Sequence, residues 1–394
     1  MRNVGTVVRG IRTPIIKEGD DLAKIVVDSV INASVSEGFE FEDKDVIAIT
    51  EAVVGISEGN FATLDQIAKD IKRKLNTEHL GIVFPILSRN RFAVLLSAMA
   101  RSAKKITLLS SYPSDEVGND ILYKEDLKKY NIDPYKDIIS DSEYKEKFSH
   151  FKHLFTGVNM YEVYKELVEA EDCEFEMVFS NNPEDILKYT DNVINCDIHT
   201  RKETKEILKS AGANVISMDE ILTESVDGSG YSPYGLLGSN RSTEEKVKLF
   251  PRGGNNLVLE VQRLMKEKCG KNIEVMVYGD GAFKDPVGKI WELADPVVSP
   301  AYTPGLEGSP NEIKLKYFSE NKLSHLSGEE LNNAMREEIE KKDKELKGTM
   351  ATQGTTPRAY TDLLGSLCDL TSGSGDKGTP VVLIQRYFTN YSHE

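Results

Sequence analysis

The sequence predicts a mixed α/β protein with room for two or three domains, and three observations support this prediction. Short apolar runs typical of buried strands alternate along the chain with stretches typical of amphipathic helices. The chain has 394 residues, enough to build more than one hydrophobic core. Several apolar runs end in polar loops that contain glycine, and open α/β sheets tend to hold their ligands at such strand ends.

The first part of the chain, to about Pro85, alternates strands and helices. Asp21 stands at the start of a predicted helix, where an acidic side chain favours the positive end of the helix dipole. The run Asp45–Val54 is apolar enough to predict a buried strand. The stretch Phe61–Leu75 predicts a helix with charges of both signs on its outer face.

The alternation continues through the middle of the chain as an α/β pattern. The predicted strands are Gly81–Leu87, Ile106–Leu109, Glu176–Ser180, Val193–Cys196 and Val215–Met218. The predicted helices are Phe92–Ala103 and Lys202–Ala211. Residues 112–152 are polar and rich in Lys, Asp and Tyr, a composition that indicates a surface excursion or lid.

The last part of the chain is predicted to contain more helices than strands. The helices are Thr243–Lys248, Leu257–Lys268, Ser327–Lys347 and Tyr360–Leu370. Ser327 and Glu330 have the spacing of a capping box at the start of the third of these helices. A strand is predicted at Val381–Ile384, and a proline-rich loop at Leu293–Pro310.

Composition and charge restrict the classes of function. Lys and Arg total 49 against 64 Asp and Glu, a net charge of −15, so we expect no general binding to nucleic acid. No apolar run is long enough to span a membrane and the N-terminus lacks the apolar core of a signal peptide, so we expect a cytoplasmic protein. The four cysteines form no CxxC pair and the six histidines lie apart, which predicts neither a zinc site nor a disulfide framework.

The stretch Ile273–Gly288 is the most informative part of the chain. It predicts a buried strand, Ile273–Tyr278, that stops in the acidic loop GDGAFKDPVG. Asp280 lies between two glycines, so a ligand can approach the backbone there, and Asp285 follows. A carboxylate at the end of a buried strand is typical of metal and phosphate sites. The alternative is a turn in which Asp280 binds local amides.

Two further loops, Val226–Asn240 and Ser372–Pro380, are rich in glycine and serine. Neither matches GxxxxGK[ST], and no GxGxxG follows the first strand, so the chain has neither an ordinary P-loop nor a dinucleotide fingerprint. Small residues with free backbone N–H groups can nevertheless hold a phosphate. Two ordinary flexible turns are the alternative interpretation.

Acidic and basic side chains accompany these loops. The carboxylates suited to Mg²⁺ or Mn²⁺ are Asp227, Asp280, Asp285 and Asp376. The basic residues in the same motifs are Arg241, Arg252, Lys284, Arg358 and Lys377. Phosphoryl transfer needs this combination of a cation, backbone donors and a few basic side chains.

The segment Asp197–Arg201, with His199 at its centre, follows a predicted strand. It has the residue types of a metal or acid–base element. A structural histidine bonded to the backbone is the alternative, and the sequence favours it.

Four of these motifs together resemble the coenzyme F420-0:L-glutamate ligases, the γ-glutamyl ligases of the deazaflavin coenzyme. The segments that carry the resemblance are Val8–Leu22, Asp45–Gly59, Tyr234–Pro286 and Tyr360–Ile384. The resemblance implies a multi-layer, two-domain, mixed α/β (α+β) fold that forms a homodimer and has no P-loop. It divides the chain into core segments 1–86, 226–305 and 351–394, an inserted α/β segment 87–225 and a charged helical insertion 306–350.

The resemblance also implies a reaction and its site. The family joins the α-amine of L-glutamate to a carboxylate with GTP and a divalent metal, which implies an acyl phosphate intermediate. The metal would be Mg²⁺ or Mn²⁺ at Asp280, with Asp227 and Asp285 as further candidates, while Lys284 and Arg241 would neutralise the phosphoryl charge. The implied nucleotide-binding residues are Gly10, Ile11, Thr50, Glu51, Asn240, Ser372, Gly373, Ser374, Gly375, Asp376, Lys377 and Gly378.

The sequence departs from the family at several of these positions. The family carries lysines in the loop that reads Ala52–Ile56 here, and a hydroxyl where Gly281 stands. The position of the family's metal-binding Asp corresponds to about Leu237 in this chain, and the family's glutamine in the closing loop corresponds to Ser374. The leading hypothesis is therefore a GTP- or ATP-dependent amide ligase with its own carboxylate acceptor, for instance a folate. A non-catalytic nucleotide- or metabolite-binding protein and a metal-dependent hydrolase are the alternatives.

Overall fold

A computed structural model of the chain describes most of its residues, in two compact units. The described residues are 3–86, 91–115, 118–153, 157–279, 283–284, 291–292, 299–342, 346, 349–352, 358–371, 373 and 375–392. Unit 1 consists of Met1–Val54, Gly253–Gly281 and Val297–Glu394, and unit 2 of Gly55–Arg252 and Ala282–Pro296. In this described part of the chain, no helix combines the length and the apolar character needed to cross a membrane.

Strands and helices alternate along both units. The strands are β1 (Val7–Ile11), β2 (Val46–Thr50), β3 (Phe61–Thr63), β4 (His79–Val83), β5 (Lys105–Ser110), β6 (Glu174–Phe179), β7 (Asn192–Asn195), β8 (Asn214–Ser217), β9 (Asn240–Arg241), β10 (Lys246–Lys248), β11 (Glu274–Tyr278), β12 (Phe283–Lys284), β13 (Trp291–Glu292), β14 (Ala301–Tyr302) and β15 (Val381–Gln385). The α-helices are α1 (Leu22–Glu37), α2 (Glu51–Ser57), α3 (Leu64–Leu75), α4 (Arg91–Ala100), α5 (Lys124–Tyr130), α6 (Asp141–Lys147), α7 (Met160–Glu169), α8 (Arg201–Ser210), α9 (Gly254–Cys269), α10 (Leu315–Glu320), α11 (Gly328–Glu340) and α12 (Tyr360–Thr371). Short 3₁₀ helices occur at Pro183–Lys188, Met218–Glu220, Pro304–Leu306 and Met350–Thr352.

Local capping explains where the first long helices begin and end. Asp21 caps α1, because its side chain accepts a hydrogen bond from the Lys24 amide, and Gly38 ends the helix with a φ of 68°. Thr63 and Gln66 form a reciprocal capping box at the start of α3. These contacts satisfy backbone groups that a helix end otherwise leaves without partners.

Unit 1 is built on a mixed five-stranded sheet in the order β1-β15-β2-β11-β14. Strand β15 lies between β1 and β2 and is antiparallel to both. Strands β2 and β11 are parallel, and β14 pairs antiparallel with β11. The ends of β1, β2 and β11 therefore lie at the same edge of the sheet as the beginning of β15.

Helices cover both faces of this sheet. Helix α12 packs on one face, in a core cluster that includes Ala48, Met276 and Leu364. Helices α1 and α9 contact each other, and α9 packs against β11 and β14. Gly254 allows a close approach at the start of α9, because a Cβ atom there would lie 2.9 Å from the Cβ of Ala301.

Unit 2 is built on a five-stranded parallel sheet in the order β6-β5-β4-β7-β8. Helices α3, α4 and α7 share the large core cluster on one face, and α8 packs on the other with the Pro183–Lys188 helix. This is the doubly wound arrangement of open α/β domains. Unit 2 also contains a three-stranded antiparallel sheet, β3-β10-β9, and the pair β12-β13.

The prediction of a mixed α/β, multi-layer fold is confirmed, and most predicted elements are found. The prediction for Asp45–Val54 is wrong after Thr50, where the strand stops and α2 begins. The predicted helix Phe61–Leu75 begins only at Leu64, because Phe61–Thr63 pairs with β10 as strand β3. The same pairing overturns the predicted helix Thr243–Lys248, whose last three residues are β10.

Two further predictions are wrong for reasons of packing and capping. Residues 112–152 are more than a surface excursion, because their aromatic residues Tyr144 and Phe148 are buried in the core cluster of unit 2. The helix predicted for Ser327–Lys347 ends at Glu340, and Ser327 makes no side-chain hydrogen bond to the helix, so the capping box is absent. The division of the chain into core segments and insertions stays a prediction.

Candidate functional site

The edge of the unit 1 sheet at which β1, β2 and β11 end brings several of the predicted site segments together. Tyr278, the last residue of β11, pairs with Thr50, the last residue of β2. On the other side of β2, Val381 begins β15 and pairs with Ile49. Val381 also pairs with Ile11, the last residue of β1. We name this edge the carboxyl edge of unit 1.

The glycine-rich loop before β15 lies at this edge and is held by backbone hydrogen bonds. Gly373 bridges to Thr379, and the Gly378 amide donates to the Gly375 carbonyl at 2.9 Å. The Thr13 amide donates to the Gly378 carbonyl at 3.3 Å, and the Thr50 amide donates to Pro380 at 2.9 Å. The loop is therefore tied to the segments that follow β1 and β2.

The loop has the open backbone that a phosphate needs. Gly378 has a φ of +64°, a conformation that glycine adopts without strain. Among the described residues, no heavy atom lies within 4 Å of a Cβ atom built on Gly373, Gly375 or Gly378, so the described part of the structure leaves space at these glycines. An anion can therefore approach the loop closely at these positions.

Side chains of both signs lie on the same segments. Asp376 and Lys377 are exposed in the loop, as are Gly10 and Arg12 at the end of β1. Ile11, Thr50 and Glu51 are buried. Arg12 and Lys377 are thus accessible positive charges next to backbone donors, a combination suited to an anionic ligand.

Tyr278 carries a buried hydroxyl to this edge. The side chain is 2% exposed, and its hydroxyl has no hydrogen-bond partner among the described residues. Burial is the main cause of the raised pKa of Tyr278, and the charges of Cys368, Asp369 and Glu51 act in the same direction. The Thr50 side chain acts in the opposite direction and lowers the pKa of Tyr278, although it does not meet the geometry of a hydrogen bond to the hydroxyl. The phenol is therefore neutral and able to donate a hydrogen bond.

Helix α9 contributes a positive end to the carboxyl edge. Its first residue, Gly254, packs near Val277, close to the end of β11. The helix has 16 residues, its N-cap residue Gly253 has no side chain that could cap it, and its first turn contains no acidic residue. The partial positive charge of its N-terminus is therefore available to an anion at this edge.

Several predicted residues lie outside the described part of the chain. These are the metal candidates Asp280 and Asp285 and the loop residues Ser372 and Ser374. Lys284 belongs to strand β12 in unit 2, and only its backbone is described. Across the residues that the structure does describe, no group of three or more His, Cys, Asp or Glu side chains is arranged to hold a metal ion.

The remaining predicted residues belong to unit 2. Asp227 has a φ of 49°, forms an ion pair with Lys69 and accepts a hydrogen bond from Gln66 at its carbonyl. Asn240 and Arg241 form β9 opposite β10, and the exposed Arg241 side chain donates to the Thr243 carbonyl at 3.3 Å. The roles predicted for these residues stay predictions.

Sequence reasoning missed two contributors to the carboxyl edge. Arg12 lies within the segment predicted to contact the nucleotide, and its charge directly after a strand was the available signal. Tyr278 was assigned only to the strand, although it is the strand's one residue with a polar group on a large apolar body. Neither signal specifies a role before the register of β2 and β11 is known.

A family model described as F420-0:Gamma-glutamyl ligase matches residues 10–386, which is nearly the whole chain. No curated protein matches the chain significantly. The matched region includes every segment of the carboxyl edge of unit 1.

Proposed function

The chain belongs to the F420-0:gamma-glutamyl ligase family, and from this premise we propose a nucleotide-dependent amide ligase that joins L-glutamate to a carboxylate-bearing metabolite. Membership of the family supports an enzyme of the ligase class that adds glutamate. The use of GTP or ATP, the divalent metal, the acyl phosphate, the homodimer and the cytoplasmic location belong to the proposal.

One observation carries the proposal: separate segments that bear backbone donors converge at the carboxyl edge of unit 1. The loop from Gly373 to Pro380, the end of β1 and the end of β2 are joined there by hydrogen bonds. The open glycines, the N-terminus of α9 and the exposed Arg12 and Lys377 all favour negative charge. Nucleotide phosphates are the reactants that require this environment.

The proposed reaction has two steps. The acceptor carboxylate attacks the terminal phosphorus of the nucleotide, which forms an acyl phosphate and releases the nucleoside diphosphate. The amine of glutamate then attacks the acyl carbon, the C–N bond forms, inorganic phosphate leaves, and the nitrogen loses a proton. The loop amides would hold the transferred phosphoryl group, and Arg12 and Lys377 would stabilise its charge. The Tyr278 hydroxyl would donate to an oxygen of the reactants.

Protein carboxylates would hold a divalent cation, which would offset the negative charge of the phosphates. Asp280 is the second residue after Tyr278, which ends β11, and is the proposed ligand, with Asp285 as a second candidate. The described residues offer no such ligand set: among them Asp227 is bound to Lys69. No step of the reaction is therefore assigned to the metal.

The experiment is an assay of the full chain with GTP or ATP, Mn²⁺ or Mg²⁺, L-glutamate and a panel of acceptors that includes F420-0 and a folate. We expect phosphate release that depends on the acceptor, and a glutamyl adduct by mass spectrometry. An acceptor labelled with oxygen-18 in its carboxylate should transfer one labelled oxygen to phosphate. Lys377→Ala should lower the rate about tenfold or more. Lys271→Ala, an exposed lysine just before β11 begins, is the matched control.

The other results exclude the proposal in distinct ways. Phosphate release without any acceptor identifies a hydrolase. A nucleotide that binds without turnover, in the presence of every acceptor, identifies a binding protein. Phosphate that carries no labelled oxygen argues against the acyl phosphate even if the amide forms.

A further inference from the structure

The parallel sheet of unit 2 also has a carboxyl edge, and ligands are expected there as they are at the carboxyl edge of unit 1. In the order β6-β5-β4-β7-β8, the chain winds outward from β4 in one direction and then from β7 in the other. The order of the strands thus reverses between β4 and β7. In doubly wound sheets, ligands bind outside the carboxyl ends of the strands at this reversal point.

Arg201 lies at this point, in the first turn of α8. Its carbonyl accepts a hydrogen bond of 2.9 Å from Asn195, the last residue of β7. Thr204 and Leu208 are buried at spacings of three and seven from Arg201, so Arg201 occupies the helix face that packs on the sheet. The guanidinium group lies beside Asp219, just after β8.

The Arg201 side chain is 18% exposed, and two of its guanidinium nitrogens lack a hydrogen-bond acceptor among the described residues. Its Nε and Nη1 atoms are inaccessible to solvent, and neither donates a hydrogen bond to any described residue. An opposite charge lies close to the guanidinium group: Oδ2 of Asp219, just after β8, is 3.3 Å from Nε. The other carboxylate oxygen of Asp219, Oδ1, is also buried without a donor. Such unmet donors and acceptors are costly and uncommon in folded proteins.

The turn that leads into α8 does not need Arg201. Asp197 receives the Thr200 amide at 3.0 Å and the Thr200 and Thr204 hydroxyls at 2.6 Å each. The Asp197 amide in turn donates to Asn195. The hydrogen bonds of the turn are thus made without the guanidinium group.

A second buried polar group without a hydrogen-bond partner among the described residues lies on β5, two strands from β7. Ser110 is the last residue of β5, is 1% exposed, and its hydroxyl has no hydrogen-bond partner among the residues described. Strand β4 separates β5 from β7, so Ser110 and the end of β7 are about 10 Å apart at about 4.8 Å per strand. One small molecule lying across the strand ends can span this distance.

We propose that the carboxyl edge of the unit 2 sheet binds a small phosphorylated molecule that also carries hydroxyl groups. Arg201 contacts the phosphate through a charge-assisted N–H···O hydrogen bond from its guanidinium group. Asp219 Oδ1 accepts a hydrogen bond from a hydroxyl of the ligand. Ser110 hydrogen-bonds the part that lies beyond β4. This site is independent of the ligase function proposed above.

The test is hydrogen exchange of the full chain, read by peptide, with three probes: AMP, ribose 5-phosphate and inorganic phosphate. We expect AMP or ribose 5-phosphate to protect the peptides that span Ser110 and Cys196–Ser210. Inorganic phosphate should protect only the second peptide. Peptide resolution separates this site from nucleotide bound at the Gly373–Pro380 loop, so the two proposals can fail independently.

Variants make the assignment specific. Arg201→Gln should weaken binding about ten- to hundredfold. Arg201→Lys keeps the positive charge, so it should bind more tightly than Arg201→Gln, and it provides the test if the glutamine variant folds poorly. Lys202→Gln, an exposed neighbour on α8, should change binding little. Protection of the Ser110 and Cys196–Ser210 peptides that is absent with all three probes at 10 mM, or equal in wild type and Arg201→Gln, overturns the proposal.

Ser110→Ala separates a ligand role from a structural one. Removal of a buried hydroxyl without a partner should leave the melting temperature unchanged or raise it. If Ser110 contacts the ligand, the same variant should bind AMP several-fold more weakly. Unchanged affinity for every probe that binds the wild type contradicts the role given to Ser110.

Discussion

The carboxyl edges of the two five-stranded sheets differ in composition: one presents mostly backbone groups and the other mostly side chains. In unit 1 the edge consists mostly of backbone, because the loop from Gly373 to Pro380 is held by main-chain hydrogen bonds and faces open space. In unit 2 the edge consists of side chains such as Asp197 and Arg201, each held by named neighbours. A backbone edge is visible in the sequence as a glycine-rich loop, whereas a side-chain edge leaves no comparable pattern.

The two edges nevertheless share one feature. Tyr278 at the end of β11 and Ser110 at the end of β5 are both buried, and neither hydroxyl has a hydrogen-bond partner among the residues described. A buried hydroxyl without a partner is destabilising. Its occurrence at the carboxyl edge of each sheet is what the two proposed ligand sites predict, because a bound ligand would supply the missing partner.

The largest effect is expected from a change in the backbone edge. Gly378→Val forces a β-branched residue into a φ of +64°, which costs about 1–2 kcal/mol or displaces the loop. Because a displacement of about 1 Å at a site can cost about a hundredfold in rate, we expect ligase turnover to fall by that order. Steady-state kinetics with the best acceptor and the unfolding free energy are the measurements.

Two controls test whether conformation is the cause. Gly375→Ala places a methyl group in equally open space without a positive φ, so it should retain most activity. Gly378→Asn should recover part of the loss, since asparagine tolerates the left-handed conformation. If Gly378→Val and Gly375→Ala behave alike, the backbone account of this edge is wrong.

A change in the side-chain network of unit 2 should affect stability rather than turnover. Arg101 binds Glu171 through two hydrogen bonds and also contacts Asp65 and Glu245. Arg101→Met keeps the apolar stem but leaves these carboxylates without their partner, so unit 2 should lose about 2–3 kcal/mol. Urea unfolding measures the loss, and nucleotide binding to the native variant should be unchanged.

The same variant should alter the acid limb of the stability profile. Arg101 lowers the pKa of Glu245, so this contribution is complete above the unfolded-state pKa and is lost as pH falls through the folded-state pKa. In Arg101→Met the decrease between about pH 5 and pH 3 should be shallower. An identical acid limb in both proteins would show that Arg101 does not set the charge of Glu245.

The smallest effect is expected at His79, the first residue of β4 in the unit 2 sheet. His79 contacts the Thr107 hydroxyl at 2.8 Å, and burial, followed by the charge of Lys105, lowers its pKa. The folded state therefore favours neutral His79, and unit 2 should lose stability as pH falls below about 6.5, the pKa of an unfolded histidine. His79→Gln should reduce this slope between pH 7.5 and 5.5 in urea titrations, and a steeper slope would contradict the assignment.

Much of the fold was predictable wherever hydrophobic pattern and local capping agree. Strand β11 was predicted to within one residue, because Val275–Val277 is an apolar run with polar neighbours. The pattern failed where partners distant in the sequence decide the structure. Lys246–Lys248 is a strand because it pairs with Phe61–Thr63, and no local property of this short charged segment indicates that pairing.

The candidate site was predictable in part for the same reason. The loop at Gly373–Gly378 and the segments at Gly10 and Thr50 each had a local signal, and the unit 1 sheet joins them. Arg201 had none beyond its place in the Asp197–Arg201 segment. Its importance depends on the order of strands β4 and β7 in the sheet, which local sequence does not encode.

Strand β15 lies between β1 and β2 in the unit 1 sheet, and this position affects the order in which the chain can fold during synthesis. Arg9 of β1 bonds to Gln385 of β15, which is 376 positions away. Synthesis at about 5–20 residues per second leaves β1 and β2 without their shared neighbour for some tens of seconds. The parallel sheet of unit 2 lies within the continuous stretch Gly55–Arg252 and can form during that wait. The nascent chain thus carries two strands, β1 and β2, without their shared neighbour until β15 emerges.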